Sequence, residues 1–328
     1  MITRRTALAA LAAALAGSAV QAQPPHGNWP TGRPITIIVP FSAGGSVDVV
    51  ARVVAQKLAE RLKTSVVVDN VGGAGGAIGV ARAVAAAPDG FTLVMGADSP
   101  IAIARLVNPA AVKYDALKDL APIGLVNTAP MVLVARPGLP VNNLADVIKL
   151  AHAQPGTLNY ATSGIGTVLH LAMELIKEQS HAFITHVPYR GGAQIVTDVV
   201  GNQVDLALLV SVTATPQIQS HKVKAIAVTD DKRLAALPDV PTVAETPGFQ
   251  GYDMVSWTGL FAPAHTPAPI VERLNHELNE ILRSEDVKSR MAEQGAVAGS
   301  GSAADFGRFV QREQERYARI VKAANIKE

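Results

Sequence analysis

Two short stretches carry residue types that can hold an anion without a cation. Phe41-Ser42-Ala43-Gly44-Gly45-Ser46 leaves a β-branched strand and runs into an amphipathic helix on which Val50, Val53, Val54 and Leu58 recur at helical spacing. Ser163-Gly164-Ile165-Gly166-Thr167 repeats the device, leaving as a helix with Leu171, Leu175 and Ile176 inward. Glycine lets backbone approach a ligand closely, and the free N–H groups of a helix start attract a carboxylate or phosphate. Ser46 is placed to cap the first helix, with Asp48 in its first turn. Thr167 is placed to cap the second, where its hydroxyl and the neighbouring N–H groups can hold a carboxylate.

Other chemistries fit these turns poorly. The glycine-rich turn Asn70 to Gly79 has Ile78, and the Gly164 turn has Leu169, where a dinucleotide fingerprint needs its third glycine. For Asn70 to Gly79, a tight turn with close helix–sheet packing stands beside direct ligand contact. No Gly-x-Ser-x-Gly elbow surrounds Ser46 or Ser163, and the Lys-Ser/Thr of a P-loop is missing. His170 has no histidine partner at i,i+4 and no metal motif beside it, so a packed, hydrogen-bonded histidine near the turn is expected. The chain has no cysteine and therefore no thiolate chemistry or disulfide. No catalytic residue, cofactor or metal is expected. Asp98 and Ser99 follow the third strand and can reach the same cleft. Arg190, in Tyr189-Arg190-Gly191-Gly192, can pair with an anionic ligand or stand as a solvated surface arginine.

The elements that must position these residues read as α/β. Strands are expected at Ile35 to Val39, Val66 to Val68, Phe91 to Met95, Met131 to Ala135, Leu206 to Val210 and Ala225 to Val228. Helices alternate with them, including one capped by Asn142-Asn143. Such alternation predicts a parallel sheet covered on both faces, with ligands beyond the carboxyl ends of its strands. A connector rich in proline spans Leu237 to Gly248. Beyond Ser256-Trp257-Thr258-Gly259-Leu260-Phe261 the chain reads as helical. Ile270, Leu274, Leu278 and Ile281 form one apolar stripe there, and Phe306, Phe309, Val310, Tyr317 and Ile320 another.

Arg4-Arg5, the apolar run Ala7 to Ala16 and the small residues before Gln23 form an export signal, with cleavage expected after Ala22 by the general or the twin-arginine route. The 29 Lys and Arg face 27 Asp and Glu; without Arg4 and Arg5 the mature chain is balanced. A balanced surface argues against nucleic acid or anionic membrane as partner and fits a monomer. A length of 328 residues suggests two domains. The expected protein is exported, and nothing after residue 22 is apolar enough to span a membrane.

From about Pro34 onward the chain resembles the periplasmic solute-binding receptors of tripartite tricarboxylate transporters, the Bug-type receptors. The resemblance rests on Pro40-Phe41-Ser42-Ala43-Gly44-Gly45-Ser46-Val47-Asp48, on Asn70 through Gly79, on Pro88-Asp89-Gly90-Phe91-Thr92-Leu93 and on Gly164 to Leu171. Val187 to Gly192, Leu237 to Thr242 and Gly259 to Pro263 follow in the family's order.

The resemblance implies a two-domain periplasmic-binding-protein fold, type II-like, with the cleft between domains joined by crossing strands. The boundaries it suggests are a signal at 1–22, a first domain at 23–130, a second at 131–248 and a return to the first at 249–328. It further implies a non-enzymatic receptor that holds a small organic carboxylate between the Phe41–Ser46 and Ser163–Thr167 loops, with His170 nearby. The acid would be delivered to membrane permease subunits; the alternative is a sensor feeding a signalling membrane protein. Asp48 would repel the ligand, so an architectural or hydrogen-bonding role is expected for it. Val71-Gly72, Ala97 to Pro100 and Ser211 to Thr215 depart from the family's pattern. The ligand's far end would therefore meet Asp98, Ser99, Arg190 and the segment after Val210.

Overall fold

One long strand ties the molecule together. In the computed structural model, which describes residues 29–323 and Ile326, β4 (Leu120–Ala135) runs through two half-sheets. The expected export signal and its cleavage point lie outside the described residues.

The first lobe opens with β1 (Ile35–Val39), α1 (Ser46–Leu62), β2 (Val66–Asn70), α2 (Ala77–Val84) and β3 (Thr92–Ala97). A π-helical turn at Ser99–Ile103 follows β3. After β4 the second lobe contains α3 (Leu144–Ala153), β5 (Asn159–Thr162), α4 (Val168–Ser180), β6 (Thr185–Pro188), α5 (Gly192–Val200), β7 (Leu206–Val210), α6 (Ser211–Gln219) and β8 (Lys224–Val228). The chain then returns through β9 (Val255–Pro263), α7 (Ala268–Arg283), α8 (Glu285–Glu293), β10 (Val297–Ala298) and α9 (Ala303–Ala323).

The strand order is β2-β1-β3-β9-β4-β7-β5-β6, with β8 and β10 also on β4. Along β4 the partners change between Pro130 and Met131. Leu120 to Pro130 pair antiparallel with β9, and Met131 to Ala135 pair with β7 and β8.

The sheet is mixed, which corrects the expectation of a parallel one. β1 is parallel to β2 and β3, and β5 to β6 and β7, but every pairing of β4 is antiparallel, as is β3 with β9. The parallel units come from strand–helix crossovers, whose periodicity is visible in sequence. The antiparallel ones come from strands that traverse both lobes. β4 is also longer than the apolar run at its end. Pro122, Gly124 and Pro130 interrupt its first eleven residues, and the register against β9 shifts twice there.

The core sits on both faces of the sheet. Val47, Val50, Val54, Leu58 and Leu62 of α1 pack with Ile35, Ile37 and Val39 and with Ile270, Leu274, Leu278 and Ile281 of α7. Each such fully buried side chain contributes roughly 1.5–3 kcal/mol. On the other face Phe306, Val310 and Tyr317 of α9 join Tyr114, Trp257 and Phe261, so both predicted C-terminal stripes bury against the first lobe. Among the described residues no helix is long and apolar enough to cross a membrane.

Candidate functional site

The loop between β1 and α1 is shaped by Asp48, which is 2 % exposed. Its carboxylate accepts the Gly44 N–H (2.8 Å), Arg52 Nε (2.9 Å) and the Asn70 amide (2.9 Å). Asn70 also donates to the Phe41 carbonyl at 3.1 Å. Burial alone would push the Asp48 carboxyl up. The Arg52 guanidinium, the Gly44 N–H and Asn70 outweigh it and hold the group below the usual carboxylate range. The position that the sequence assigns to Ser46 as cap belongs to Gly45, which caps without a side chain; Ser46 is the first helical residue. Among the described residues no capping side chain accepts the first-turn N–H groups of α1.

The second helix start is closed more tightly. Thr167 caps α4 as expected, accepting the His170 N–H at 3.3 Å while its hydroxyl donates to the Gly164 carbonyl at 2.8 Å. The Val168 N–H donates across the lobes to Ser99 Oγ at 3.0 Å. Ser99 in turn donates its hydroxyl to Asp98.

These two helix starts face one cavity of about 40 Å³, enough for a few water molecules. Phe41, Gly45, Ser46, Asp98, Ser99 and Ser163 line it, with Val168 and Leu169 from α4. Ala43 and Gly44 lie exposed on the rim of the loop. Ser42 turns its hydroxyl towards Gly191, buried and without a hydrogen-bond partner among the described residues. Gly164 approaches the backbone of Gly75, and Gly166 packs on Val107. Arg190 is exposed, in a separate groove with Gly73, Gly164 and Tyr189, so the structure does not bring it into the cavity.

The remaining lining was not singled out residue by residue in sequence. Thr213 comes from the segment after Val210, which sequence marks only as a whole. Ser256 enters on β9, 158 residues beyond Asp98, and nothing in the local pattern signals it. A larger cavity of about 530 Å³ lies at the lobe seam, lined by Ala77, Ile78, Val84 and Val107 among others. Its lining is mostly apolar and α1 does not open into it. Its size therefore does not make it the anion site.

His170 stands behind the α4 start. Its Nδ1 accepts the Gly166 N–H at 3.2 Å, and its ring stacks on His186 with centroids 4.3 Å apart. His186 stacks on Tyr160 on its other face. Burial first, and then the charge of His170, push the His186 imidazole down to about 4. An unfolded histidine titrates near 6.5, so between about pH 6.5 and 4 the unfolded chain binds a proton that the folded chain refuses. Stability therefore falls as pH drops through that window, by about 1–2 kcal/mol once the full linkage value of ~3 kcal/mol is discounted for the solvent that still reaches the ring. Urea unfolding at pH 7.5 and 4.5 is expected to show a smaller pH loss in His186→Gln than in the native chain. An equal loss in both would assign the effect elsewhere.

Comparison with known proteins gives one consistent result. The family described as "Tripartite tricarboxylate transporter family receptor" matches residues 50–326. The chain is 34 % identical to Protein BugT of Bordetella pertussis, covering 99 % of each. The structure of Rpa4515 from R. palustris, solved with adipate, superposes with a TM-score of 0.88 at 34 % identity, covering 91 % of this chain and 99 % of that one. MatC of Rhodopseudomonas palustris, with bound malate, gives 0.83 at 32 % identity, covering 88 % and 99 %. A family match over most of the chain, with two lobes sharing crossing strands, leads to one conclusion: this chain belongs to the tripartite tricarboxylate transporter receptors, which are solute-binding proteins of the two-domain periplasmic fold and not enzymes.

Proposed function

We propose that this protein is a periplasmic receptor that captures a small organic carboxylate between its lobes and delivers it to the permease subunits of a tripartite tricarboxylate-type transporter. The observation that carries the reading is the convergence of two glycine-turn helix starts, one from each lobe, on a single cavity whose lining, among the described residues, has no basic side chain. Helix-start N–H groups and hydroxyls would hold one carboxylate there. Adipate and malate in solved relatives support the ligand class. A space of about 40 Å³ cannot admit such an acid without the lobes parting. The strands crossing near Pro130–Met131 and Thr229–Val255 are the natural hinge.

A thermal-shift screen against mono-, di- and tricarboxylates, aromatic acids and amino acids tests the binding half. Ligand at a hundredfold excess over Kd stabilises the folded form by about 2.7 kcal/mol, a clear shift. No shift with any acid, after unfolding and refolding to strip carried ligand, would overturn it. The delivery half predicts that deleting the gene abolishes uptake of the acid that binds. Undiminished uptake with lost induction of a response would transfer the receptor to a sensor.

A further inference from the structure

We infer that Asp98 makes this cavity one for acids with a single carboxylate and turns away acids that carry a second. The inference rests on the carboxylate-receptor reading and adds the charge class of the ligand.

Asp98 lines the cavity and is 1 % exposed, yet every hydrogen-bond partner it has belongs to its own lobe. One oxygen accepts the Ser99 N–H at 2.6 Å and the Ser99 hydroxyl at 2.8 Å. The other accepts the Ser256 hydroxyl at 2.6 Å and the Trp257 N–H at 3.0 Å. Each oxygen thus faces an N–H that can only donate, and the ionised carboxylate is the form these partners fit. Burial pushes the carboxyl up and outweighs the four hydrogen bonds that act against it, so the carboxyl lies above the usual carboxylate range while its donor set still fits the ionised form.

Among the described residues the lining offers this charge no counter-ion: it contains no lysine, arginine or histidine. The positive potential in the cleft comes from two helix starts, which suffices for one ligand carboxylate. A second carboxylate would find no donor set of its own. It would lie well inside the ~8–10 Å over which salt screens charges, beside a buried anion whose acceptor positions are already filled. An uncharged far end, or an ammonium, meets no such penalty. Adipate and malate both carry two carboxylates, so the inference sets this chain apart from the relatives solved with them.

The test is calorimetric titration of refolded protein with pairs matched in length: hexanoate and 6-aminohexanoate against adipate, 3-hydroxybutyrate against malate, and glutamine against glutamate. The singly charged acids or zwitterions that bind are expected to do so at least ~10-fold more tightly than their dicarboxylate partners, the ratio one pKa unit of interaction represents. In Asp98→Asn that ratio should shrink to within about threefold, mainly because the dicarboxylates tighten. Dicarboxylates binding as well as their partners in the native protein, or an unchanged ratio in a variant that melts cooperatively, would overturn the inference alone. If Asp98→Asn does not fold, the native ranking decides by itself. Failure of every acid to bind would overturn the receptor reading and this inference with it.

Discussion

Replacing Asp48 with alanine is expected to cost about 3 kcal/mol of stability and to weaken acid binding ~100-fold. The carboxylate is almost fully buried and holds three elements at once: the Gly44 N–H of the ligand loop, Arg52 one helical turn on, and Asn70 at the end of β2. Hydrogen bonds to a charged group contribute about 1.5–3 kcal/mol each, and the loss is limited because Arg52 is half exposed and can be solvated. Binding suffers about as much as stability, since ~100-fold is about 2.7 kcal/mol: Gly44 loses its anchor, and so does Asn70, which holds the Phe41 carbonyl. The acid limb gives a second readout. A group whose folded pKa is depressed contributes fully above its unfolded value, here 3.8, and loses that contribution as pH falls through the folded one. The stability gap between native protein and Asp48→Ala should hold constant from pH 8 to about 5 and narrow below about 4. A gap under about 1 kcal/mol at pH 7, or one that widens in acid, would show that Asp48 does not organise the loop.

The role of Asp48 was legible because carboxylate, helix start and anionic ligand are incompatible as direct neighbours, whatever the fold. The helices that carry the two turns were legible for a related reason: a 3.6-residue apolar period and a glycine-hydroxyl turn are both local. Ser46 shows the limit of local reading. It has the right chemistry for a cap, but Asp48 takes the Gly44 N–H and shifts the cap to Gly45. The first eleven residues of β4 were hidden because their stability comes from pairing with β9, more than 120 residues away, and not from an apolar run of their own. Ser256 entered the site by that same strand. That His170 packs near the turn is expected from sequence, but its stacking partner His186, and Tyr160 beyond it, meet only in space. Long-range pairing, rather than residue chemistry, separates what could be read early from what could not.

Pairing across the lobes also explains why glycines flank the cleft on both sides, and it yields the sharpest separation of binding from stability. Gly191 is buried against the Phe41–Ser46 loop, where a side chain would collide with the Ser42 side chain and stand 3.3 Å from the Ser42 backbone N. Its extended φ of 165° suits any residue, so space alone requires glycine here. On the other flank Gly164 meets Gly75 backbone to backbone, with a Cβ on Gly164 only 3.4 Å from the Gly75 Cα. Gly191→Val should therefore prop the lobes apart while each lobe folds unchanged. We expect a change in stability within about 1 kcal/mol and a loss of acid affinity of ~100-fold, because the two helix starts can no longer meet on one carboxylate. Gly191→Ala should lose ~10-fold or less, since one methyl group needs the Ser42 hydroxyl to rotate and the Ser42 backbone, 3.3 Å away, to give only slightly. Calorimetry gives the affinities, and small-angle scattering with saturating acid should leave Gly191→Val more extended than the native complex. Affinity within threefold of native in Gly191→Val would mean that ligand is held without closure, by one lobe alone.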